Sequence, residues 1–567
     1  MCLKLTPMQS AFVAKIFDYC KSRRTFALFI ALWCFSLVGI QSVPIEEHES
    51  FVLVTSRQMK EDGDWLLPRY NNEVRLNKPP LNYWATILVS KLDPRTQDIQ
   101  IYHGRLVSLV GILLMVLLTA RTGEKLYGRE TGVLAALFLL CSKGILDFSC
   151  NAKPDVLYAA LCTLQLFAWL DAWQANDKNR QRGMALLGWG AAGLATLSKG
   201  PQVPVIFLAG FCGFLAWGSE RRRILSVLRP WGGLALFALL VVPWWVLLHQ
   251  RLNAMGVNLS DSQLSGSLLH PAWKWNQLLR FYYVWLPLDQ MLPASLLLLF
   301  VIPPFLKQKE PLPSASRLFV CVSVVMLALF TFGPQYRKHY VLPLLPVFSL
   351  LVAERMRYVR LPVFRQSAII GRGVSVALAA ATALCMLGCA GVLLWNRAYP
   401  LLAVFIVVCA LTAVLLKAEL TAPEGSYSAF TKFVSVIACA VAVFGSFCYD
   451  YVPTLQWNAA EQQFKQRVGE QLPGNARLIC WKTTPNILPL FVHHPVLAFS
   501  EPDKLANYVS EHLKVHPIFA VLPQQDLPSL NAAVRTRVVQ SITNKKKAKE
   551  SLCCVEILGV ARDAVKP

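Results

Sequence analysis

Charged residues are scarce in this sequence. Only 16% of its 567 residues are Asp, Glu, Lys or Arg, whereas soluble globular proteins contain roughly 25%. Hydrophobic residues make up 55% of the chain, and several apolar runs approach the ~20 residues that a helix needs to cross a bilayer. These runs exclude a compact water-soluble protein. The sequence therefore predicts an α-helical polytopic membrane protein.

Acidic residues are the scarcer charge, with 33 Asp and Glu against 56 Lys and Arg, so the formal net charge is +23. The basic residues do not form one patch for a nucleic acid. They recur in short segments at every second loop between apolar runs, which is the pattern of cytoplasmic loops. These segments contain Lys21, Arg23 and Arg24, then Arg121, Lys125 and Arg129, then Lys178, Arg180 and Arg182, then Arg221, Arg222 and Arg223, and finally Arg355, Arg357, Arg360, Arg365 and Arg372. We therefore expect membrane lipids, and no nucleic acid, as partners.

The sequence also lacks metal-ligand spacing among its cysteines, an internal repeat and a signal-peptide cleavage site. The 16 cysteines lie mostly in apolar runs without metal-ligand spacing, as small buried hydrophobic residues do. There is no internal repeat of the kind found in inverted-repeat transporters. The N-terminus has a basic flank and an apolar run without a small-residue cleavage site, so we interpret it as a retained first span.

The apolar runs predict about thirteen transmembrane helices, with the first basic flank in the cytoplasm. They begin near residues 25, 103, 131, 155, 183, 201, 229, 291, 316, 339, 373, 399 and 430. Two of the outward loops between these helices are long, over residues 44–102 and 249–290. Residues 1–451 are thus predicted to form a transmembrane domain, and residues 452–567 a small soluble α/β domain on the outer face, with strands at "ARLICW", "PVLAFS" and "IFAVLP".

The residues that could carry chemistry lie at the outer ends of the predicted spans. They are Glu46, Glu47, His48 and Glu49 after the first span; Lys78 in "RLNKPPLNYW"; Asp155 at the mouth of the fourth span; Lys199 in "LSKGP"; and Arg337, Lys338, His339 and Tyr340 at the outer end of the tenth. Two prolines stiffen the support of Lys78, and Tyr83 and Trp84 are of the type that settles at lipid headgroups. A helix over "HESFVLVTSRQMKEDGDW" would place Phe51, Val52, Val54 and Met59 against the membrane.

Carboxylates can activate a nucleophile, and cations can stabilise a departing phosphate. Together they suit the transfer of a group from a lipid phosphate. Four alternatives stay open on the residues alone. The chain could be a non-catalytic scaffold whose outer domain binds a partner, with the loop charges as solvated surface, and Lys78 could merely snorkel to the interface beside Tyr83 and Trp84. Asp155 could be an ordinary helix N-cap, and the cations could serve a flippase or transporter of a lipid-linked anion.

At these residues the chain resembles a known family. The segments "HESFVLVTSRQMKEDGDWLLPRYNNEVRLNKPPLNYW", "KPDVLYAAL", "LSKGP" and "HYVLPLLP" follow, in order, the pattern of the bacterial ArnT-like and protein O-mannosyltransferase-like glycosyltransferases. The resemblance covers roughly the first 350 residues. It implies an integral-membrane enzyme of the GT-C fold that takes its sugar from a polyprenyl-phosphate donor.

The resemblance also implies roles for particular residues. The family's acidic pair falls on His48 and Glu49, so Glu49, or Glu47 as a substitute, inherits the catalytic role together with Asp155. Lys78 takes the position of the lysine that contacts the lipid phosphate, and Tyr340 that of the family's motif tyrosine. Arg337 and Lys338 would assist at the phosphate, and His270 corresponds loosely to a loop histidine.

From these roles we expect an inverting glycosyltransferase in the cytoplasmic (inner) membrane, with its active site on the outer face. Its partners would be a polyprenyl-phosphate-linked sugar and a lipid A-like lipid, protein or glycan acceptor. Asn77 replaces the glutamate of the family's "EKPP" motif, so no metal ligands are assigned. A divalent metal stays open as a cofactor.

Overall fold

The computed structural model describes residues 43–217, 231–257, 282–292, 294–297, 312–331, 337–356, short stretches between 383 and 410, residue 452, and residues 457–485, 487–492, 494–544 and 550–561. The predicted spans that begin near residues 25 and 430, and the loop histidine His270, lie outside the described residues.

The described part of the N-terminal region is a bundle of helices. In chain order they are α1 (Glu47–Glu61), α2 (Leu81–Leu92), α3 (Ile101–Tyr127), α4 (Arg129–Leu140), α5 (Lys143–Ser149), α6 (Pro154–Gln174), α7 (Lys178–Ser198), α8 (Gln202–Trp217), α9 (Trp231–Ala254), α10 (Tyr282–Gln290), α11 (Ser314–Thr331), a 3-10 helix (Lys338–Leu344) and α12 (Leu345–Met356).

Five spans in this part of the chain are long and apolar enough to cross a membrane: α3, α6, α9, α11, and the 3-10 helix continued by α12. Helices α4 and α5 form a sixth if their 54° bend is counted within one span. Helices α3, α4 and α6 to α9, together with α11 and the 3-10 helix, begin within about five residues of predicted span starts. The protein is therefore a multi-pass helical membrane protein, and the total of thirteen spans stays a prediction.

Small residues allow the helices to approach closely. A Cβ atom added to Gly132 of α4 would lie 2.4 Å from the carbonyl oxygen of Ala120 in α3, and one added to Gly188 of α7 would lie 2.2 Å from the Trp169 ring of α6. Lipid provides little hydrophobic driving force between helices, so this close packing supplies much of their attraction. It buries α6 on almost every side and fixes the position of its first turn.

Helix α1 confirms the predicted amphipathic helix but not its predicted surroundings. Val52 and Met59 are almost fully buried in a cluster with Tyr83 of α2, and Leu490 of the C-terminal region packs on the same cluster. The apolar side of α1 therefore faces protein rather than lipid. Tyr83, which is only 2% exposed, does not reach the lipid headgroups as predicted, because the same cluster encloses it.

The C-terminal region contains a five-stranded sheet in the order β4-β3-β5-β7-β6. The strands are β3 (Arg477–Trp481), β4 (Leu497–Phe499), β5 (Ile518–Pro523), β6 (Val534–Ile542) and β7 (Leu552–Val560), and the helices are α13 (Trp457–Gln471), α14 (Leu488–Phe491), α15 (Pro502–His512) and α16 (Leu527–Asn531). Strand β3 is parallel to β4 and β5, whereas β7 is antiparallel to β5 and β6. The predicted strands are present at β3, β4 and β5, and apolar clusters cover both faces of the sheet.

Two side chains join this sheet region to the first outward loop. The Arg57 guanidinium of α1 donates to the carbonyl oxygens of Pro489, Leu490 and Val492. Asn71 lies in the two-residue turn between the short strands β1 (Arg69–Tyr70) and β2 (Glu73–Val74). It has a positive φ of 56°, which this turn favours for asparagine, and its amide both donates to and accepts from the backbone of Val496.

Candidate active site

Asp155 and Lys199 form an ion pair at the mouth of the helix bundle. Pro154 is the first residue of α6, and Asp155 follows it in the first turn. Lys153, not Asp155, occupies the N-cap position, so the N-cap interpretation of Asp155 is wrong. The Lys199 ammonium donates to Oδ1 of Asp155, and their side chains are only 11% and 6% exposed.

The position of Lys199 follows from how α7 ends. Lys199 is the C-cap residue, and Gly200 follows with a φ of +127°, a conformation that side-chain-bearing residues rarely adopt. Pro201 cannot continue the helix as a hydrogen-bond donor. The sequence "SKGP" thus stops α7 and leaves the lysine beside the first turn of α6.

His339 and Tyr340 complete one wall of this site. They lie in the 3-10 helix, where Nε2 of His339 is 3.6 Å from Oδ1 of Asp155. The Lys199 Nζ atom lies 5.0 Å from the centre of the Tyr340 ring, a distance at which a cation and an aromatic face attract. The His339 ring meets the Tyr340 ring edge-on at 4.9 Å. The sequence predicted these two residues at the site, and the structure places them beside Asp155.

Lys78 approaches the same group from the first outward loop. Burial and, next in size, the positive charge of Lys199 lower the pKa of its ammonium to about 8, although Asp155 acts in the opposite direction. Pro79 and Pro80 beneath it are buried. Within the described residues, the Lys78 ammonium makes neither a hydrogen bond nor an ion pair. A partly buried cation in this state is suited to receive an anion.

Further cations border the site. The Arg75 guanidinium lies 3.7 Å above the Phe51 ring. Arg337 has an exposed side chain whose charge acts on Lys78, and its backbone N–H donates to the Tyr283 hydroxyl. Lys338 is also exposed, and its charge acts on Asp289 instead. Of the two predicted phosphate-binding cations in this segment, Arg337 is therefore the one whose charge acts on Lys78.

Glu49 is held in a buried network. It is 1% exposed, and both its oxygens accept hydrogen bonds at 2.9 Å from the Arg105 guanidinium of α3. The same carboxylate accepts from the backbone N–H groups of Ala152, at 2.7 Å, and Glu46, at 3.1 Å. Four hydrogen bonds occupy its lone pairs, so Glu49 is built to join α1, α3 and the loop before α6. Its predicted role as a proton acceptor stays a prediction that this geometry does not favour.

Glu47 and His48 lie on the exposed side of the first turn of α1. Partial burial and the nearby Lys153 charge lower the pKa of His48 below its usual 6.5, while Glu47 acts to raise it. Glu46 forms an ion pair with Lys153. The acidic cluster predicted after the first span thus divides into one buried, one paired and one exposed carboxylate.

The importance of two residues was not predicted from the sequence. Lys199 was named as a candidate but given no role, yet it is the direct partner of Asp155. Arg105, fully buried in a membrane-spanning helix, was not a candidate at all. An intramembrane charge usually has a partner or a function, and this signal in "IYHGRLVSLV" could have revealed it. In the described part of the chain, no group of three or more His, Cys, Asp or Glu side chains could hold a metal ion.

The comparisons with known proteins fit this geometry. Residues 77–247, which include Lys78, Asp155 and Lys199, match the family model for dolichyl-phosphate-mannose-protein mannosyltransferase. The crystal structure of ArnT from Cupriavidus metallidurans bound to undecaprenyl phosphate superposes with a TM-score of 0.67, at 18% identity, over 93% of this chain and 97% of that one. This chain has the GT-C fold and resembles the ArnT-like glycosyltransferases.

Curated relatives support the resemblance over part of the chain. The undecaprenyl phosphate-alpha-4-amino-4-deoxy-L-arabinose arabinosyl transferase of Erwinia tasmaniensis is 24% identical over 366 residues, which are 59% of this chain and 59% of that protein. An uncharacterized protein of Aquifex aeolicus is 27% identical over 317 residues, or 54% of this chain and 58% of that protein. The match thus spans less than two thirds of either relative.

Proposed function

We propose that the protein is a glycosyltransferase that moves a sugar from a polyprenyl-phosphate donor to an envelope acceptor on the outer face of the cytoplasmic membrane. The observation that carries this proposal is the Lys78 ammonium, which is partly buried and unpaired among the described residues and lies close to the Asp155–Lys199 pair. A lipid phosphate would supply the missing negative charge.

The donor phosphate would lie between Lys78 and Lys199, with Arg337 and Tyr340 at its edge. Negative charge grows on the phosphate as the bond between the anomeric carbon and the phosphate oxygen breaks. Cations already fixed around it stabilise that charge without further reorganisation. Lys199 would then be shared between the phosphate and Asp155, which their short separation allows.

Asp155 would serve the sugar side of the same reaction. Substitution at an anomeric carbon passes through an oxocarbenium-like transition state, whose positive charge a nearby carboxylate stabilises. Attack from the face opposite the departing phosphate would invert the anomeric centre. Glu49 would hold α1 in place through Arg105, and Glu47 would remain available at the open side of the site.

Donor turnover in proteoliposomes tests this proposal. Purified protein would be supplied with undecaprenyl phosphate carrying either 4-amino-4-deoxy-L-arabinose or mannose, together with envelope lipids and proteins as acceptors. We expect the release of undecaprenyl phosphate and a mass increase on an acceptor, and the Lys78→Ala variant should lose both. Movement of intact donor across the bilayer without sugar transfer would instead support a flippase of a lipid-linked anion.

A further inference from the structure

Most of the carboxylates near the site form ion pairs with basic side chains. Glu46 pairs with Lys153, Glu49 with Arg105, and Asp155 with Lys199. A nearby opposite charge stabilises the ionised form of a carboxylate and so weakens it as a proton acceptor. If the acceptor carries a proton on its nucleophilic atom, the site needs a different group to remove it.

His48 has the position for this task. It lies on the first turn of α1, exposed, with its ring centre 5.7 Å from that of Phe51, and Phe51 in turn carries the Arg75 guanidinium. These residues lie on the Lys78 side of the site, because the charge of Arg75 acts on the Lys78 ammonium.

The first turn of α1, which carries His48, is also joined to the Asp155 side of the site, and the charge of Lys153 acts on His48. Glu46, two residues before His48, pairs with Lys153. The Lys153 ammonium lies 6.0 Å from the centre of the Phe148 ring, and that ring meets His339 edge-on at 6.3 Å. His339 is the neighbour of Asp155. Because the charges of Lys153 and of Arg337 both act on the exposed His48, we place it at the open rim of the site.

The charges around His48 keep it in the form that accepts a proton. Lys153 and Arg337 oppose its protonation, whereas Glu46 and Glu47 favour it, and partial burial is the largest influence. The balance lowers the pKa of the imidazole below 6.5. The ring is therefore mostly neutral at pH 7, and imidazole is a better proton acceptor near this pH than an exposed carboxylate.

We propose that His48 is the general base of the transfer and that the acceptor nucleophile is a hydroxyl group. This inference rests on the proposed glycosyltransferase function. The hydroxyl oxygen would attack the anomeric carbon and form the new glycosidic bond, while the bond from that carbon to the donor phosphate breaks. The hydroxyl proton would pass to the free ring nitrogen of His48, and the electron pair of the broken bond would leave with the polyprenyl phosphate. A phosphate acceptor, already ionised, would need no such base.

The test uses the full-length protein in proteoliposomes with the undecaprenyl-phosphate sugar that the wild type turns over. His48→Gln keeps a polar side chain of similar size but removes the base, and His516→Gln in the C-terminal region is the matched control. We expect His48→Gln to lower kcat by about 10²- to 10⁴-fold, as for the loss of a positioned base, with little change in the donor KM.

Two further readouts separate a base from a structural residue. The wild-type rate should fall once the pH drops below the pKa of His48, which lies below the usual 6.5, since the imidazole is then protonated, and this acidic limb should be absent in His48→Gln. Added imidazole should restore part of the activity of His48→Ala, because the site is open to solvent. Full activity of His48→Gln, or an unchanged acidic limb, would overturn the inference. Failure of the wild type to transfer any sugar would instead contradict the proposed function itself.

Discussion

The Lys199 ammonium donates to the Asp155 carboxylate across 44 residues of sequence. The contact joins the end of α7 to the first turn of α6, and both side chains are nearly buried. Two buried charges must remain paired, since removal of one leaves the other desolvated and uncompensated. We therefore expect the pair to stabilise the fold, in addition to its proposed role beside the donor phosphate.

Substitutions can separate the effect of this pair on stability from its effect on activity. Lys199→Met should lower the thermal stability of the detergent-solubilised protein, because it leaves the Asp155 charge unpaired, a cost of about 3–5 kcal/mol in buried pairs. Adding Asp155→Asn to Lys199→Met should restore most of the stability. The double variant should still be inactive, with a loss of about 10²-fold or more. Recovery of activity along with stability would show that the pair only holds the fold.

Glu49 is predicted to act through stability rather than through proton transfer. Glu49→Gln leaves Arg105 buried without its counter-charge, so the melting temperature should drop by an amount equivalent to about 3–5 kcal/mol. Glu47 lies two residues away and is exposed, so Glu47→Gln is the control and should melt like the wild type. If Glu49→Gln kept its melting temperature and lost activity, the carboxylate would be catalytic after all.

Arg57 is predicted to hold the C-terminal sheet region against α1. It is 5% exposed and donates to three backbone carbonyl groups there, and hydrogen bonds from a charged group are worth about 1.5–3 kcal/mol each. Arg57→Met should therefore speed limited proteolysis of the region after residue 457. Arg95, whose side chain is 73% exposed, provides the control Arg95→Met, which should leave the digestion rate unchanged. Equal digestion of both variants would argue against this contact.

The orientation of the chain can be tested with single cysteines at exposed positions. Asp62 directly follows α1 on the same loop as Lys78, and Lys178 begins α7 at a predicted cytoplasmic loop. A membrane-impermeant thiol reagent added to intact cells should label Asp62→Cys, whereas Lys178→Cys should react only after permeabilisation. The unsubstituted protein reports the background from its own cysteines. Labelling of Lys178→Cys in intact cells would reverse the proposed orientation.

The sequence predicted much of the helical framework because lipid imposes simple rules. A spanning helix needs a long apolar run, and cytoplasmic loops carry the basic residues. The starts of α3, α6 and α11 could therefore be placed to within a few residues. An apolar helix face does not show in the sequence whether lipid or protein packs against it. For this reason α1 was predicted to lie against the membrane, although it packs against protein.

The sequence allowed individual residues of the candidate site to be predicted, but not which of them form pairs. Lys78, Asp155 and Tyr340 stand out as charges or motif residues at the outer ends of spans. Their partners depend on which distant helix ends meet, and this is set by close packing around residues such as Gly132 and Gly188. The pairing of Glu49 with Arg105 was hidden for the same reason, and it changes the expected role of Glu49.

The pH dependence of donor use by Lys78 variants tests the central claim most directly. The pKa of Lys78 is lowered to about 8, so the ammonium is charged below that pH and loses its charge as the pH rises through it. The kcat/KM for the undecaprenyl-phosphate sugar should therefore decline above about pH 8 in the wild type, since this ratio reports the free enzyme. Lys78→Arg stays charged and should not show this decline. Lys78→Ala should lower kcat/KM by about ten- to hundredfold at pH 7. Wild-type kcat/KM in Lys78→Ala, with the same decline above pH 8, would contradict a phosphate-binding role for Lys78.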